Sequence, residues 1–214
     1  MDLNNLKLQA ERLSALQEIR NLMGKYSYLH TAFRNVEYVK LWAKRDDSLL
    51  IMPFGKFQGF EAIRHCYVDM HGDRNDVEVR NQLKGFMMVH LMNTEVIEVA
   101  EDGKSAKGSW ISPGIEVAPQ TGKEGGAWCW GKYEVDFIKE EEWKFWHMTL
   151  YPVFLTPYSK SWGRNLDNKM DGQMLLEDPL CQPPDSPMWE YGPNSVYPEN
   201  QPRIPESYKT FQHS

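Results

Sequence analysis

Four residues in this sequence carry acid–base chemistry and stand in segments whose apolar spacing is regular: Tyr26, His30, His90 and His147. The charge of a histidine changes near neutral pH, and a tyrosine hydroxyl can donate a hydrogen bond to an oxygen that gains negative charge. In one cavity, these groups could remove a proton from a small molecule and stabilise the anion that forms. The alternative for each is a structural role in the core, with its polar atoms hydrogen-bonded to neighbours.

Tyr26 and His30 belong to a predicted long helix over residues 3–33. They stand one turn apart and continue an apolar stripe whose residues follow one another at steps of three and four, namely Leu16, Ile19 and Met23. Residues at these steps share one face of a helix. The helix is therefore predicted to present both side chains on its inward face.

His147 lies in the middle of a predicted strand that begins at Trp143. Strand alternation places Trp143, Phe145 and His147 on one face, and the opposite face is largely apolar too. We therefore expect a strand that is covered on both sides, with one titratable ring among aromatic side chains.

His90 lies on a predicted strand over residues 86–99, which is bent near its middle. A tight turn joins this strand to a partner over residues 105–112, and the dipeptide Pro113-Gly114 is predicted to end that partner. His90 would then lie in a long hairpin.

The other predicted elements are a helix from Asn35 to about Arg45, a strand over 49–52, a helix over 59–72 and a strand over 127–139. The last of these carries Tyr133 and Asp136 and pairs with the strand that follows it. His65 and His71, on the third helix, are predicted to lie on its solvated face. The polar segment 73–84 is predicted to be a loop that could cover the mouth of a pocket.

After Leu155 the composition changes. Nine of the 13 prolines fall between Pro157 and Pro205, and proline excludes long helices and inner strands. Aromatic residues are nevertheless scattered through this part, which argues against a disordered tail. We predict a domain over residues 1–155 and an extended arm over 156–214, packed on that domain or on a neighbouring subunit.

Composition argues against several partners. The net charge is −6, from 24 basic and 30 acidic residues, and the sequence has no basic patch, so nucleic acid is not expected. The sequence has no apolar run of membrane-spanning length and no signal-peptide pattern at its start, so no membrane association is expected. Three cysteines without metal-type spacing do not form a disulfide framework. These features favour a cytoplasmic protein.

Several segments occur together in a distinctive order: the helix end RNLMGKYSYLH, the helix start GFEAIR, the hairpin VHLMNTEVIEVAEDGKSAKGSW, and the closing strands GKYEVDF and WKFWH. In order and spacing they resemble the SnoaL-like branch of the nuclear transport factor 2-like superfamily, over about residues 10–155. The resemblance implies an α+β cone, in which a strongly curved antiparallel sheet wraps around three N-terminal helices and encloses a deep pocket.

Enzymes of this superfamily, such as polyketide cyclases, scytalone dehydratase-like and bile-acid dehydratase-like proteins and steroid isomerases, usually need no cofactor. Their helix tyrosine and strand histidine match Tyr26 and His90, and His147 and Asp136 lie on the later strands. Members often carry an aspartate a few residues beyond the helix tyrosine, where it supports a histidine base. This sequence departs from that pattern, so His30 or Asp136 would have to take that place.

The resemblance implies a cofactor-independent lyase of the dehydratase (hydro-lyase) type, or an isomerase, for a hydrophobic cyclic or aromatic molecule. In this hypothesis His90 is the base, Tyr26 donates to the developing oxyanion, and His147 assists the leaving hydroxyl. His30 and Asp136 orient them. The pocket walls are expected to include four aromatic residues: Trp42, Trp110, Tyr133 and Phe145. Neither a cofactor nor a metal is expected.

Three alternatives stay open. The first is a non-catalytic protein that binds small hydrophobic molecules. The second rests on the segments SWISPGIE and VDFIKEEEWKFWHMTLYP, which are similar to those of cofactor-free lyases for lignin-derived aryl alcohols. The third is a metal site made of His30, His90 and His147. Because the predicted strands are apolar on both faces, we also expect a homo-oligomer, a dimer or trimer.

Overall fold

The computed structural model describes residues 3–117, 125–163, 178–185, 188–189, 191–192 and 194–212. The helical elements are α1 (Leu3–Thr31), α2 (Asn35–Tyr38) with a 3₁₀ turn (Val39–Leu41), α3 (Phe60–Arg64) continued by a π-helix (His65–Met70), and α4 (Val77–Gln82). The strands are β1 (Leu49–Met52), β2 (Gly55–Gln58), β3 (Met87–His90), β4 (Asn93–Val99), β5 (Ser105–Val117), β6 (Ala127–Lys139) and β7 (Trp143–Pro157).

The strands form one curved sheet in the order β2-β1-β7-β6-β5-β3, and β4 also pairs with β5. The two pieces of the predicted 86–99 strand, β3 and β4, therefore lie along the same edge of β5. All described pairs are antiparallel except β1 with β7, which is parallel. The predicted α+β fold is confirmed, with a mixed rather than a purely antiparallel sheet.

Helix α1 packs its inward stripe against the sheet. Ile19, Met23 and Tyr26 are each no more than 1% exposed, as the helical spacing predicts. Across from them lie side chains of β6 and β7, including Phe137 and Phe145, which are fully buried. Burial of one such large apolar side chain contributes about 1.5–3 kcal/mol, so this layer is a main source of stability.

Among the described residues, no helix has the length and apolarity that a membrane crossing requires.

The helix predicted over 59–72 changes from α to π geometry at His65. The wider turn places Cys66 and Tyr67 fully in the core. A π segment inside a helix is uncommon and often marks a functional position. Here it determines where His71, just beyond its end, points.

Two further segments differ from the prediction. The expected loop over 73–84 contains α4, whose start is capped by the Asp76 carboxylate, which accepts hydrogen bonds from two backbone amides. Strand β5 does not end at Pro113-Gly114 but continues to Val117. Its last residues pair with β3 on one side and β6 on the other.

Residues 178–185 of the arm are held on β2 and the π-helix. The backbones of Lys56 and Gln182 exchange two hydrogen bonds of 2.7 and 2.9 Å, and the Lys56 ammonium pairs with Asp185. Cys181 is 6% exposed and packs so closely on Gly55 that a Cβ at that position would lie 2.1 Å from its Sγ. Only a residue without a side chain at position 55 therefore leaves room for Cys181.

The last described part of the arm lies on the outer face of the sheet. Backbone amides of the β4–β5 turn donate to the carbonyls of Tyr208 and Lys209, and the Phe211 ring contacts Trp146 at a centroid distance of 4.5 Å. The chain thus covers part of its own outer sheet face. The boundary between domain and arm and the oligomeric state both stay predictions.

Candidate active site

A cavity of about 810 Å³ is lined by the ends of α1, β1 and the π-helix, the β1–β2 turn, α4, strands β3, β5, β6 and β7, and the arm. Its wall is mainly apolar and aromatic, with contributions from Phe33, Phe54, Phe86, Trp130 and Phe154. The polar groups of the wall gather mostly on β3, β5 and β6 and at the ends of α1 and the π-helix. A cavity of this size and character suits a small organic molecule that is held by a few polar contacts.

The imidazole of His90 and the carboxylate of Glu116 face each other on the cavity wall. His90 Nε2 lies 3.2 Å from Glu116 Oε1, and the side chains are 12% and 30% exposed. His90 is the register partner of Gly114, and a Cβ on Gly114 would lie 2.7 Å from His90 Nδ1. The glycine therefore leaves the space in which the imidazole lies.

Cys129 stands on the other side of Gly114, because β5 and β6 pair these two residues. Burial, and then the charge of Glu116, raise the pKa of the Cys129 thiol well above its usual range. The thiol is therefore protonated at neutral pH and is not a ready nucleophile.

His71 presents a basic nitrogen to the same cavity. Its Nδ1 lies 2.6 Å from the carbonyl oxygen of Cys66. A carbonyl can only accept, so Nδ1 carries the proton and the lone pair of the neutral ring is on Nε2. Burial lowers the pKa of His71, which keeps the ring neutral.

His30 lies between the other two imidazoles, at centroid distances of 6.4 Å from His71 and 6.3 Å from His90. Burial is the main cause that lowers the pKa of His30 to about 3, and the neighbouring imidazoles act in the same direction. Its Nδ1 is buried and has no hydrogen-bond partner among the described residues. His30 is therefore a neutral ring on the cavity wall, packed beside the other two imidazoles.

Tyr26 and Tyr133 form a hydroxyl pair at the inner end of the cavity. Their oxygens are 2.8 Å apart. Burial raises the pKa of Tyr26 to about 12 and that of Tyr133 well above its usual range, so both stay protonated. Tyr133 lines the cavity and Tyr26 lies behind it. When Tyr26 donates to Tyr133, the Tyr133 hydroxyl is free to donate to a bound molecule.

His147 and Asp136 lie outside this cavity, and their predicted place within it is wrong. They pair with each other on the outer face of the sheet, with Nδ1 2.9 Å from Oδ2. Register shows the cause: Asp136 pairs with His147 and Phe137 with Phe145, so Trp146 is an extra residue in a β-bulge. A bulge of one residue moves every later side chain to the opposite face.

Of the four predicted aromatic wall residues, only Tyr133 lines the cavity in the part of the chain that the structure describes. Trp42, Trp110 and Phe145 belong to the packed core, where each is at most 2% exposed. Trp42 donates its indole N–H to the Tyr38 hydroxyl at 2.8 Å. These residues position the wall but do not form it.

Three residues of the polar wall, Glu116, Cys129 and His71, were not predicted. Glu116 follows Trp110 by three steps of strand alternation, a signal that the expected break at Pro113-Gly114 concealed. Cys129 has the same parity as Tyr133 on β6, which could have indicated an inward position. His71 was expected to face solvent, but it is half-buried and lines the cavity just after the π-helix, a change of helix geometry that the residue spacing does not reveal.

Comparison of the sequence with protein-family models assigns the chain to a family. The family model described as the SnoaL-like domain matches residues 11–149. A search of curated proteins by sequence finds no significant match.

Solved structures give the fold. A candidate scytalone dehydratase from Novosphingobium aromaticivorans is 18% identical, with 72% of this chain and 93% of that chain covered and a TM-score of 0.56. The hexachlorocyclohexane dehydrochlorinase LinA-type3 from Novosphingobium barchaimii is 15% identical, with coverages of 72% and 96% and a TM-score of 0.55. A nuclear transport factor 2-like protein from Salmonella enterica is 18% identical, with coverages of 70% and 95% and a TM-score of 0.51.

Proposed function

Because the chain belongs to the SnoaL-like domain family, we propose that it is a cofactor-independent lyase or isomerase for a hydrophobic cyclic or aromatic small molecule. One observation supports this most: a histidine–carboxylate pair, His90 with Glu116, borders a largely apolar cavity of about 810 Å³. A base that is paired with a carboxylate in a largely apolar cavity is suited to taking a proton from carbon.

In the proposed reaction, His90 removes a proton from a carbon next to a carbonyl group. The carboxylate of Glu116 stabilises the imidazolium that forms, because opposite charges at this distance attract strongly in a low-dielectric site. The electron pair of the broken C–H bond moves onto the substrate oxygen, where the Tyr133 hydroxyl donates a hydrogen bond. Tyr26, 2.8 Å behind it, supports that hydroxyl.

The imidazolium of His90 then returns its proton. Delivered to a leaving hydroxyl, it completes an elimination in which a C=C bond forms and water departs. Delivered to another carbon, it completes an isomerisation. His71 lines the cavity and carries its lone pair on Nε2, which can accept a hydrogen bond from a substrate hydroxyl and fix its orientation. No step uses His147, which lies on the other face.

The test uses a panel of one- and two-ring β-hydroxy ketones and aryl carbinols, incubated with the purified protein in D2O. Mass spectrometry would report the loss of water or the uptake of deuterium. We expect turnover of at least one class, and the His90→Gln variant should lose about 10²–10⁴ in kcat/KM, the usual contribution of a general base. Tight binding across the panel without turnover or deuterium uptake would instead indicate the non-catalytic alternative.

A further inference from the structure

We propose that His90, Glu116 and Cys129 form a binding site for Zn²⁺, and that Zn²⁺ bound there inhibits the enzyme. The binding part rests only on these three residues. The inhibition part rests on the proposed function, because it assumes that His90 is the base.

The donor atoms are already close together. One ligand atom from each residue lies within 4.8 Å of the other two, and His90 Nε2 is 3.2 Å from Glu116 Oε1. Zinc bonds of about 2.0–2.3 Å in a tetrahedron place neighbouring ligand atoms roughly 3.3–3.7 Å apart. The 3.2 Å between His90 Nε2 and Glu116 Oε1 is already close to that spacing.

The backbone holds the three residues on adjacent strands. His90 ends β3, Glu116 lies on β5 and Cys129 lies on β6. His90 and Cys129 flank Gly114 in register, and the missing side chain at Gly114 lets them approach one another over β5. A site built on paired strands is more rigid than one built on loops.

The donor set selects the ion. An imidazole nitrogen, a carboxylate oxygen and a thiolate sulfur are the ligands of zinc sites, whereas Mg²⁺ and Ca²⁺ require oxygen donors. The Cys129 thiol is protonated without metal, and coordination would release its proton to solvent.

A fourth coordination position would face the cavity. All three residues line that cavity, so a water molecule could complete the tetrahedron. Ser112 lies on the same face of β5, two residues before Gly114, and its buried hydroxyl has no hydrogen-bond partner among the described residues. It lines the cavity as well. A metal-bound water would give this hydroxyl a partner.

Zinc and catalysis would compete for the His90 imidazole. Glu116 can only accept, so in the neutral ring Nε2 carries the proton and Nδ1 is the nitrogen that takes the substrate proton. Zinc on Nε2 would place the one ring proton on Nδ1, and its charge would also neutralise Glu116. Zinc would therefore act as a reversible inhibitor that a chelator removes.

The binding test uses the full chain after treatment with EDTA and buffer exchange. Isothermal titration with ZnCl2 should show one ion per chain, and CoCl2 should give the near-ultraviolet absorption of a thiolate–cobalt bond. Cys129→Ala should weaken zinc binding by at least about tenfold and abolish that absorption. Cys181→Ala, at a buried cysteine outside the cavity wall, should leave both unchanged. Weak or non-stoichiometric zinc binding, or zinc binding that survives Cys129→Ala, would overturn the site.

The activity test is separate. Stoichiometric zinc should suppress turnover of any substrate found in the panel, and EDTA should restore it. Zinc that binds through Cys129 without lowering turnover would refute inhibition but keep the site. Zinc that binds to a protein without any turnover would leave the site intact while the proposed function fails.

Discussion

Two histidine–carboxylate pairs lie on opposite faces of one sheet, and they differ in what the imidazole has left to bind. On the outer face, His147 meets Asp136 through Nδ1 and the backbone carbonyl of Asp47 through Nε2, at 2.9 and 3.1 Å. The rings of Trp146 and Phe211 cover it at centroid distances of 4.4 and 5.8 Å. The outer ring is therefore bonded at both nitrogens and shielded on its faces.

The inner pair also joins an imidazole to a carboxylate, but its environment is different. His90 meets Glu116 through Nε2 and borders a cavity that can hold a small molecule. The comparison teaches that a histidine next to a carboxylate is not by itself a site. A site also needs room for a reacting molecule beside the ring, and the fold supplies that room on one face only.

The largest expected effect on activity comes from replacing the histidine of each pair with glutamine. His90→Gln should reduce kcat/KM by about 10²–10⁴ with little change in thermal stability. His147→Gln should leave kcat/KM unchanged but cost about 1–3 kcal/mol of folding free energy, because Asp136 loses its partner. Steady-state kinetics gives kcat/KM for both variants, and thermal denaturation gives the change in stability of each. Equal kinetic losses for the two variants would remove the distinction between the faces.

The same two pairs show which parts of this site the sequence can predict. Helical spacing gave the inward positions of Ile19, Met23 and Tyr26, because an uninterrupted helix keeps its period. Strand parity gave the wrong face for His147, because an extra residue at Trp146 reverses the alternation. The energy that favours a bulge depends on the partner strand and on packing, and neither can be read from the local pattern.

A second limit concerns the predicted strand β6. Tyr133 and Asp136 were both assigned to the site, although they are three residues apart and a strand sends them to opposite faces. The alternation of Tyr133, Val135 and Phe137, each at most 2% exposed, is the correct signal. Glu116 was missed because proline and glycine usually end a strand. Here β5 lies between β3 and β6 at that point, and pairing on both sides holds it in place.

The second effect concerns the arm near the cavity. Gly55→Ala should cost about 1–3 kcal/mol, since the new Cβ would overlap Cys181 Sγ and force it out of its buried position. Because Pro184 and Asp185 line the cavity, the same change should raise KM. Adding Cys181→Ala removes the overlapping sulfur, so the double variant should be more stable than additivity predicts. Strict additivity in thermal denaturation would mean that this contact does not anchor the arm.

The third effect concerns the arm over the outer pair. Phe211→Ala should cost about 1 kcal/mol, because the ring contacts Trp146 at 4.5 Å and lies 4.9 Å from the Lys107 ammonium. It should leave kcat/KM unchanged, in contrast to Gly55→Ala. Tyr28→Ala, at an aromatic residue that is 83% exposed, is the matched control and should have no effect on stability. A kinetic change in Phe211→Ala would connect the outer face to catalysis.

The smallest expected effect is a pH dependence of stability that arises from His65, which connects the arm to the π-helix. His65 lies between two carboxylates, with Nε2 2.7 Å from Asp178 and Nδ1 3.1 Å from Asp69. Asp178 first, and Asp69 after it, raise the pKa of His65. Both neighbours can only accept, so the doubly protonated ring satisfies the contact. Arg64 also faces Asp69 and keeps its charge throughout.

The direction of this dependence follows from the raised pKa. Such a histidine stabilises the fold fully below its unfolded pKa of about 6.5, and the contribution disappears as the pH rises through the folded value. The pKa values of Asp69 and Asp178 are lowered, so on the acid side the contribution is lost only as these groups become protonated, at still lower pH. We expect His65→Gln to melt slightly below the wild type at pH 6, by no more than a few degrees since the group is partly exposed, and to match it at pH 9. Asp178→Asn should show the same convergence, and the double variant should add little to either single one. A difference in melting temperature that stays constant from pH 6 to pH 9 would mean that packing of the ring, not its charge, holds this part of the arm.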